Sequence, residues 1–404
     1  MDRAIFEDLD VVIVGGGICG LATALALHRK GMKSVVLEKS ESLRAAGGAI
    51  AIQPNGWKAL DVLGVGSKLR PSTILLQRIR EIFLNGSKQQ EEIISYSNIG
   101  ETRWVKRSDL IEALAQDLPL GTIRFGCKIV SLKLDTNTSF PILQLNNCTT
   151  IKAKVLIGCD GANSVVADFL ELKPKKLHSS CGVRGFTYIP NGHGFAPEFV
   201  QTIRDNTMLG LAPVTNNLAF WFVNHQWHPQ DLKAFKDPKI IKQMTLETMK
   251  GFPKKMIDVV QNCDLSTLTF SHLRYRAPWD ILLGQFRKGT VTVAGDSMHV
   301  MTPSIGQGGS VGIEDAVVLA RCMARKFHAN NDHKIFKGQK IIEEAMDEYV
   351  NARRMRLVKL STQSLLVGSL LDSSSLLVKL IILVLLGALF RDKFAHARYN
   401  CGCL

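Results

Sequence analysis

The sequence predicts an α/β fold: a Rossmann-like nucleotide-binding domain, an inserted mixed-sheet domain and a helical C-terminus. Three observations predict it. Residues 11–38 run strand, glycine turn, helix, strand, acid. Two later apolar strands also stop beside an acid and a glycine, at Asp160-Gly161 and at Gly295-Asp296. Between these, residues 186–272 carry no nucleotide motif and include alternating runs such as "NLAFWFVNH", the period of a half-buried strand. The nucleotide-binding domain is therefore assigned to 1–75, 100–185 and 273–335, the covering sheet to 76–99 and 186–272, and the helical segment to 336–404.

The first element is "DVVIVGGGICGLATALALHRKGMKSVVLEKS". Val11 to Val14 form a short apolar run suited to a strand buried on both faces. Gly15, Gly17 and Gly20 follow as GxGxxG. In that motif the first glycine permits the tight turn, the second lets backbone approach a pyrophosphate, and the third lets helix and strand pack closely. The helix N-terminus then offers free N–H groups and a partial positive charge to the phosphates. Glu38 closes the second strand, 18 residues after Gly20, where a carboxylate can accept from ribose hydroxyls.

The second element is "KVLIGCDGANSVV", with an apolar strand Val155 to Gly158 ending in Asp160 and Gly161. The third is "TVTVAGDSMHVMTPSIGQGGSVGIEDAVVLA", a strand Thr290 to Ala294 followed by Gly295, Asp296, Pro303 and a glycine-rich helix entrance. In open α/β sheets ligands bind beyond the carboxyl ends of strands. Any one acid could cap a helix or shape a turn; three at strand ends favour one large nucleotide. Arg107 precedes Ser108, a suitable N-cap, so a cation joins a helix N-terminus near an anion. Arg44 lies just past the first unit and within reach of phosphate. His299 reads as a packed loop histidine rather than a base. Glu314 and Asp315 read as structural acids in a helix's first turn. Trp221 and Trp227 read as core.

Composition limits the classes. The chain has 404 residues, 46% hydrophobic and 21% charged, with a formal charge of +14: globular, large enough for two or three domains. No dense basic run with interleaved aromatics points to nucleic acid. Nine scattered cysteines without a CxxC pair suggest a reducing compartment. The acidic start "MDRAIFEDLD" runs straight into a strand, so a cytoplasmic protein without a cleavable targeting peptide is expected, and the sequons at Asn137 and Asn147 should stay unmodified. There is no second GxGxxG after a strand, no Walker loop, no HExxH and no nucleophile elbow; no metal site is expected. Residues 361–390 hold only Asp372 and Lys379 as charges. That stretch reads as a buried C-terminal helix, with weak membrane-surface association as the alternative. The apolar run within it, "LIILVLLGALF", is too short to span a membrane. The terminal "CGCL" is a CaaX box in form only.

Taken together, "VVIVGGGICGLATALAL", "RWVKRSDLIEAL", "VLIGCDGANSVV" and "GTVTVAGDSMHVMTPSIGQGGSVGIEDAVVLA" resemble the FAD-dependent aromatic hydroxylases of the 4-hydroxybenzoate and salicylate hydroxylase class, and within it the plant monooxygenases related to zeaxanthin epoxidase. The resemblance implies FAD as cofactor. Gly15, Gly17, Gly20 and Glu38 would hold its adenosine diphosphate half. Arg107 and Arg44 would contact the cofactor. Asp160 and Gly161 would serve FAD and the nicotinamide partner, Gly295 and Asp296 the ribityl side, and Pro303, Gly306, Gly308 and Gly309 the isoalloxazine ring. It implies NADPH or NADH and O2 as co-substrates. The reaction would be hydroxylation or epoxidation of a small aromatic or isoprenoid molecule through a flavin C4a-hydroperoxide, with no side chain assigned as acid or base. A flavin reductase or dehydrogenase without oxygen transfer, or a non-catalytic flavin-binding protein, remains open. Ala167 stands where the family often has arginine.

Overall fold

The first strand, Phe6–Val14, alternates at its start and is fully buried from Val11 to Val14. Its second half lies mid-sheet, covered on both faces, which explains the continuous apolar run. A computed structural model describes residues 6–43, 47–86, 88–228, 237–328, 338–373 and 375–404. In it, Phe6–Val14 pairs in parallel with Val35–Leu37 on one side and Thr150–Gly158 on the other. Thr150–Gly158 pairs in parallel with Val291–Val293. The register sets Leu37 beside Val14, Val14 beside Gly158 and Gly158 beside Val293. One row of strand ends therefore delivers Glu38, Gly15, Asp160 and Asp296 to the same sheet edge. Helix Ile18–Arg29 is buried at every residue from Gly20 to Leu27. A Cβ on Gly20 would overlap the Gly15 carbonyl oxygen.

The second sheet has seven strands, ordered Thr269–Tyr275, Lys176–Tyr188, Leu218–Gln226, Thr207–Thr215, Glu198–Arg204, Arg78–Asn85 and Lys88–Ser95. Only the pairing of Glu198–Arg204 with Arg78–Asn85 is parallel. Strand Lys176–Tyr188 runs unbroken through residue 186. The period-2 rule sorts its neighbour. Trp221 and Val223 face a core shared with Val259 and Val260 of helix Lys254–Gln261, while Phe220 joins Trp104 and Phe186 in a separate cluster on the other side. Trp221 is fully buried and donates to Thr187 Oγ1 at 3.1 Å. Trp227 departs from the core reading: it is half-buried and stacks on His272 at 4.4 Å. A two-stranded ribbon, Ala49–Ile52 with Arg103–Lys106, completes the strands that frame the site.

Helix Gly308–His328 packs against Ile18–Arg29 and against Gln339–Asp372, a helix of 34 residues. Their contact holds a buried ion network. Arg353, fully buried, donates to Asp315 Oδ1 at 2.6 Å and to Glu314 Oε2 at 2.7 Å. Arg356 adds two bonds to Glu314. Glu314 and Asp315 are thus structural, but not as first-turn acids offsetting a dipole. The helix begins at Gly308, and two arginines some forty positions later are their partners.

The expectation of a buried C-terminal helix is overturned. Leu376–Leu389 is helical, yet Ile382 is its one buried residue. The chain beyond it returns to the body. Arg321 donates to the Cys401 and Cys403 carbonyls, Gln363 to the Lys393 carbonyl, and Arg398 to the Asn98 carbonyl.

Candidate functional site

Two cavities open at the edge where the parallel strands end. One, of about 350 Å³, is lined by Gly15, Gly16 and Gly17, by Glu38 and Lys39, by Arg107, and by Asp160 and Gly161. Gly15 has φ +101°, a left-handed conformation that suits glycine, and a Cβ there would come within 2.6 Å of the Cys159 carbonyl oxygen. At Gly17 a Cβ would meet no protein atom within 4 Å. Position 17 faces open cavity, as an approach path to a pyrophosphate requires. The other cavity, of about 340 Å³, is walled by the ribbon residues Ala49, Ile50, Ala51 and Trp104, by Phe220 and Phe222 of the second sheet, and by Met301, Thr302, Pro303, Gly306, Gly308 and Gly309. Trp104 and Phe220 sit 5.1 Å apart, ring to ring. Gly17, Arg107, Cys159, Gly161 and Asp296 line both cavities, so the two meet at these residues. A third cavity of about 460 Å³ lies on the open surface of helix Pro238–Thr248, lined by Lys239, Lys242 and Lys250 among others, with none of the site residues.

The three strand-end acids divide by what they hold. Glu38 is buried; its Oε2 accepts from Gly16 N at 2.7 Å and its Oε1 from Ser40 N at 2.9 Å. Asp160 accepts from Val165 N at 2.7 Å and from Ser297 Oγ at 3.1 Å. Ser297 also accepts from Gly161 N at 2.9 Å and so joins the two acid-glycine loops. Both acids therefore fix the shape of the backbone cradle. Asp296 differs. Its carboxylate has no hydrogen bond among the described residues and is exposed to the cavity. Protein encloses it on its other sides, and that burial raises its carboxyl above the ordinary value, partly offset by the neighbouring His299 and Arg107. The exposure is to a cavity rather than to bulk water, so the two observations agree.

Asp296 is aimed by groups behind it. Gly295 N donates to Asp315 Oδ2 at 3.0 Å, and His299 Nε2 lies 2.6 Å from the same oxygen. Burial alone would raise the Asp315 carboxyl, but His299 and Arg353 override it and hold it well below the usual carboxylate range. His299 is fully buried in this network, a packed histidine as read.

Two arginines reach the cavities. Arg107 begins helix Arg107–Ala115, follows the N-cap Lys106 and makes no ion pair among the described residues. Ser108 is not the cap: its hydroxyl donates to Asp109 inside the first turn. Arg184 projects from the second sheet and donates to Ser271 Oγ at 2.9 Å. It too has no carboxylate partner among the described residues. Burial, then the charge of Arg107, lowers its pKa. Arg44 lies outside the described residues.

The glycines sort in the same way. A Cβ on Gly161 or Gly308 would meet nothing within 4 Å, whereas one on Gly309 would overlap Ile50 Cδ1. Gly308 leaves space in the cavity; Gly309 lets the helix pack on the ribbon. Gly306 has φ +64°, and a Cβ there would lie 3.0 Å from Gln53 Nε2. Trp104, Arg184, Phe220, Phe222 and Ser297 were not singled out as site residues in the sequence. For Phe220 and Phe222 the alternation in "NLAFWFVNH" was the available signal; for Ser297, its place directly after Gly295-Asp296.

A family model described as FAD binding domain matches residues 8–337. Monooxygenase 1 of Arabidopsis thaliana is 49% identical to this chain, over 98% of it and 100% of the relative. Monooxygenase 2 of the same plant is 36% identical over 98% of each. A chloroplastic zeaxanthin epoxidase of Spinacia oleracea is 26% identical over 87% of this chain and 52% of its own length. Among solved structures, Klebsiella pneumoniae HpxO complexed with FAD and uric acid superposes with a TM-score of 0.80 at 19% identity, over 96% of both chains; that likeness is one of fold.

Proposed function

Because the chain belongs to the FAD binding domain family and is a flavin-dependent monooxygenase, we propose that it uses NADPH or NADH with O2 to hydroxylate or epoxidise a small aromatic or isoprenoid molecule. One observation carries this reading. Asp296 and Arg107, two charges without a protein partner among the described residues, line both cavities at their junction. A single elongated group with phosphates and hydroxyls, running from the glycine turn to the aromatic chamber, satisfies both.

FAD, when bound, would supply the redox chemistry between the reduced nicotinamide and O2. The chain's own residues do the rest. Gly15 and Gly17 with the N-terminus of helix Ile18–Arg29 would receive the pyrophosphate, Gly20 lets that helix pack against the turn, and Glu38 holds the turn at the adenosine end. Arg107 offsets phosphate charge. Asp296 accepts from a hydroxyl at the cavity junction. The N-terminus of helix Gly308–His328 presents its free N–H groups to the chamber, where its partial positive charge stabilises an anionic ring edge. Trp104, Phe220, Phe222 and Met301 exclude water and pack against a planar or apolar substrate. Arg184 is placed to meet a polar edge of that substrate.

The test is a product analysis. The FAD-loaded protein is incubated with labelled O2, NADPH or NADH, and a panel of phenolic acids and carotenoid-like compounds. One labelled atom in the product is expected. Substrate reduction that consumes NADPH without label entering product would establish a reductase instead. No nicotinamide oxidation with any compound would leave a flavin-binding protein without turnover.

A further inference from the structure

Helix Leu376–Leu389 is inside out. Nine of its fourteen residues are large apolar side chains exposed to solvent, among them Leu376 at 82%, Leu377 at 67% and Val384 at 62%. The stripe it packs inward is Lys379, Ile382 and Leu386, so its one charge lies on the protein side. At 100° per residue, the exposed apolar positions cover an arc of roughly 240°. Soluble monomers rarely expose a contiguous apolar patch beyond a few hundred Å². The helix is not a loose tail either, since the Lys393 and Cys401 carbonyls behind it are tied to Gln363 and Arg321.

We propose that this helix is a monotopic membrane anchor that beds the protein in one leaflet of an anionic bilayer. The arc decides the occupant. A partner helix, in a second copy or another protein, covers a stripe only somewhat wider than about 100°, which would leave more than half of this arc wet. Acyl chains close around a helix on every side that the protein leaves free. Length excludes a crossing: fourteen residues reach about 21 Å, against a hydrocarbon core of about 30 Å. No described helix is long and apolar enough to cross a membrane. The ends fit headgroups. Ser373 and Ser375 precede the helix; Arg391 and Lys393 follow it, in a chain of formal charge +14. Cations beside an apolar helix add attraction to anionic lipid.

The proposal involves no flavin chemistry, and its test reads none. FAD-loaded full-length protein is floated with vesicles of phosphatidylcholine alone and of phosphatidylcholine with phosphatidylserine. It is also sedimented without lipid. Flotation with both vesicles is expected, more strongly with phosphatidylserine. Leu377→Gln/Leu380→Gln/Val384→Gln, all at exposed positions, should lower the partition coefficient about tenfold or more, given the apolar area lost, with bound FAD and thermal unfolding unchanged. In the unaltered protein, hydrogen exchange over 376–389 should slow when vesicles are added. The proposal falls if the protein does not float, if the triple variant floats equally well, or if vesicles leave exchange over 376–389 unchanged. It also falls if the lipid-free protein is a dimer that the triple variant separates without any flotation: the helix is then a contact between copies.

Discussion

Two glycines three positions apart do opposite work. A Cβ at Gly20 would overlap the Gly15 carbonyl oxygen, while one at Gly17 would enter empty cavity. Gly20→Ala should therefore cost the fold, and Gly17→Val only the cofactor. Circular dichroism and thermal unfolding should find Gly17→Val folded, and its absorbance should show no bound flavin; a yellow Gly17→Val protein would remove the pyrophosphate from this turn. Asp296→Ala tests the other end. A hydrogen bond involving a charged group contributes about 1.5–3 kcal/mol, so FAD affinity should fall roughly ten- to hundredfold in a fluorescence titration. Unchanged affinity would make Asp296 a turn residue. At this scale the glycine motif and the three acids were legible, because each is written in a few consecutive residues. What Glu38 and Asp160 hold was not, since backbone N–H groups leave no mark in a sequence.

Between elements, the buried network of Arg353 with Glu314 and Asp315 joins the two long helices and, through Gly295 N, sets where Asp296 points. Arg353→Met takes away the guanidinium on Asp315 and one of the two on Glu314, and breaking a buried pair by removing one partner costs about 3–5 kcal/mol. Urea unfolding should show a loss of that size, and FAD affinity should drop with it. A variant as stable as the parent would mean that the network carries no such load. Elements were legible where the pattern was local. The apolar runs at Val11–Val14 and Val155–Gly158 marked strands, although the polar leading halves, Phe6–Asp10 and Thr150–Lys154, did not. Glu314 and Asp315 were assigned to a helix dipole because Arg353 is remote in the chain. The apolar tail was assigned to a core because composition states a need for cover, never whether the protein supplies it. Arg184 and Trp104 reach the chamber from strands that the topology, not the local sequence, brings there.

At the scale of the whole molecule, acid should loosen the fold before any carboxylate network fails. His396, whose carbonyl accepts from Arg356, is pushed down to about 4 by burial and by the charge of that arginine. The unfolded imidazole titrates near 6.5. Between those values the unfolded chain binds the extra proton, so stability rises with pH across the window and falls as pH drops from about 6.5 toward 4. Tm should be lower at pH 5 than at pH 7.5, and His396→Gln should flatten part of that slope. An unchanged slope in the variant would place the acid sensitivity elsewhere.

The strand order has a consequence for how the protein is made. Val14 pairs with the nearby Leu37 on one side, but on the other with Gly158, and Gly158 pairs with Val293, so one neighbour of the nucleotide strand and the strand beyond it emerge from the ribosome long after it. The whole glycine motif is translated early, yet its cradle is closed only when residues 291–309 arrive. Such non-local pairing folds slowly and leaves apolar strand edges waiting. A chain stopped before residue 291 should hold no flavin although its GxGxxG is intact, and nascent chains should gain protease resistance late and in one step.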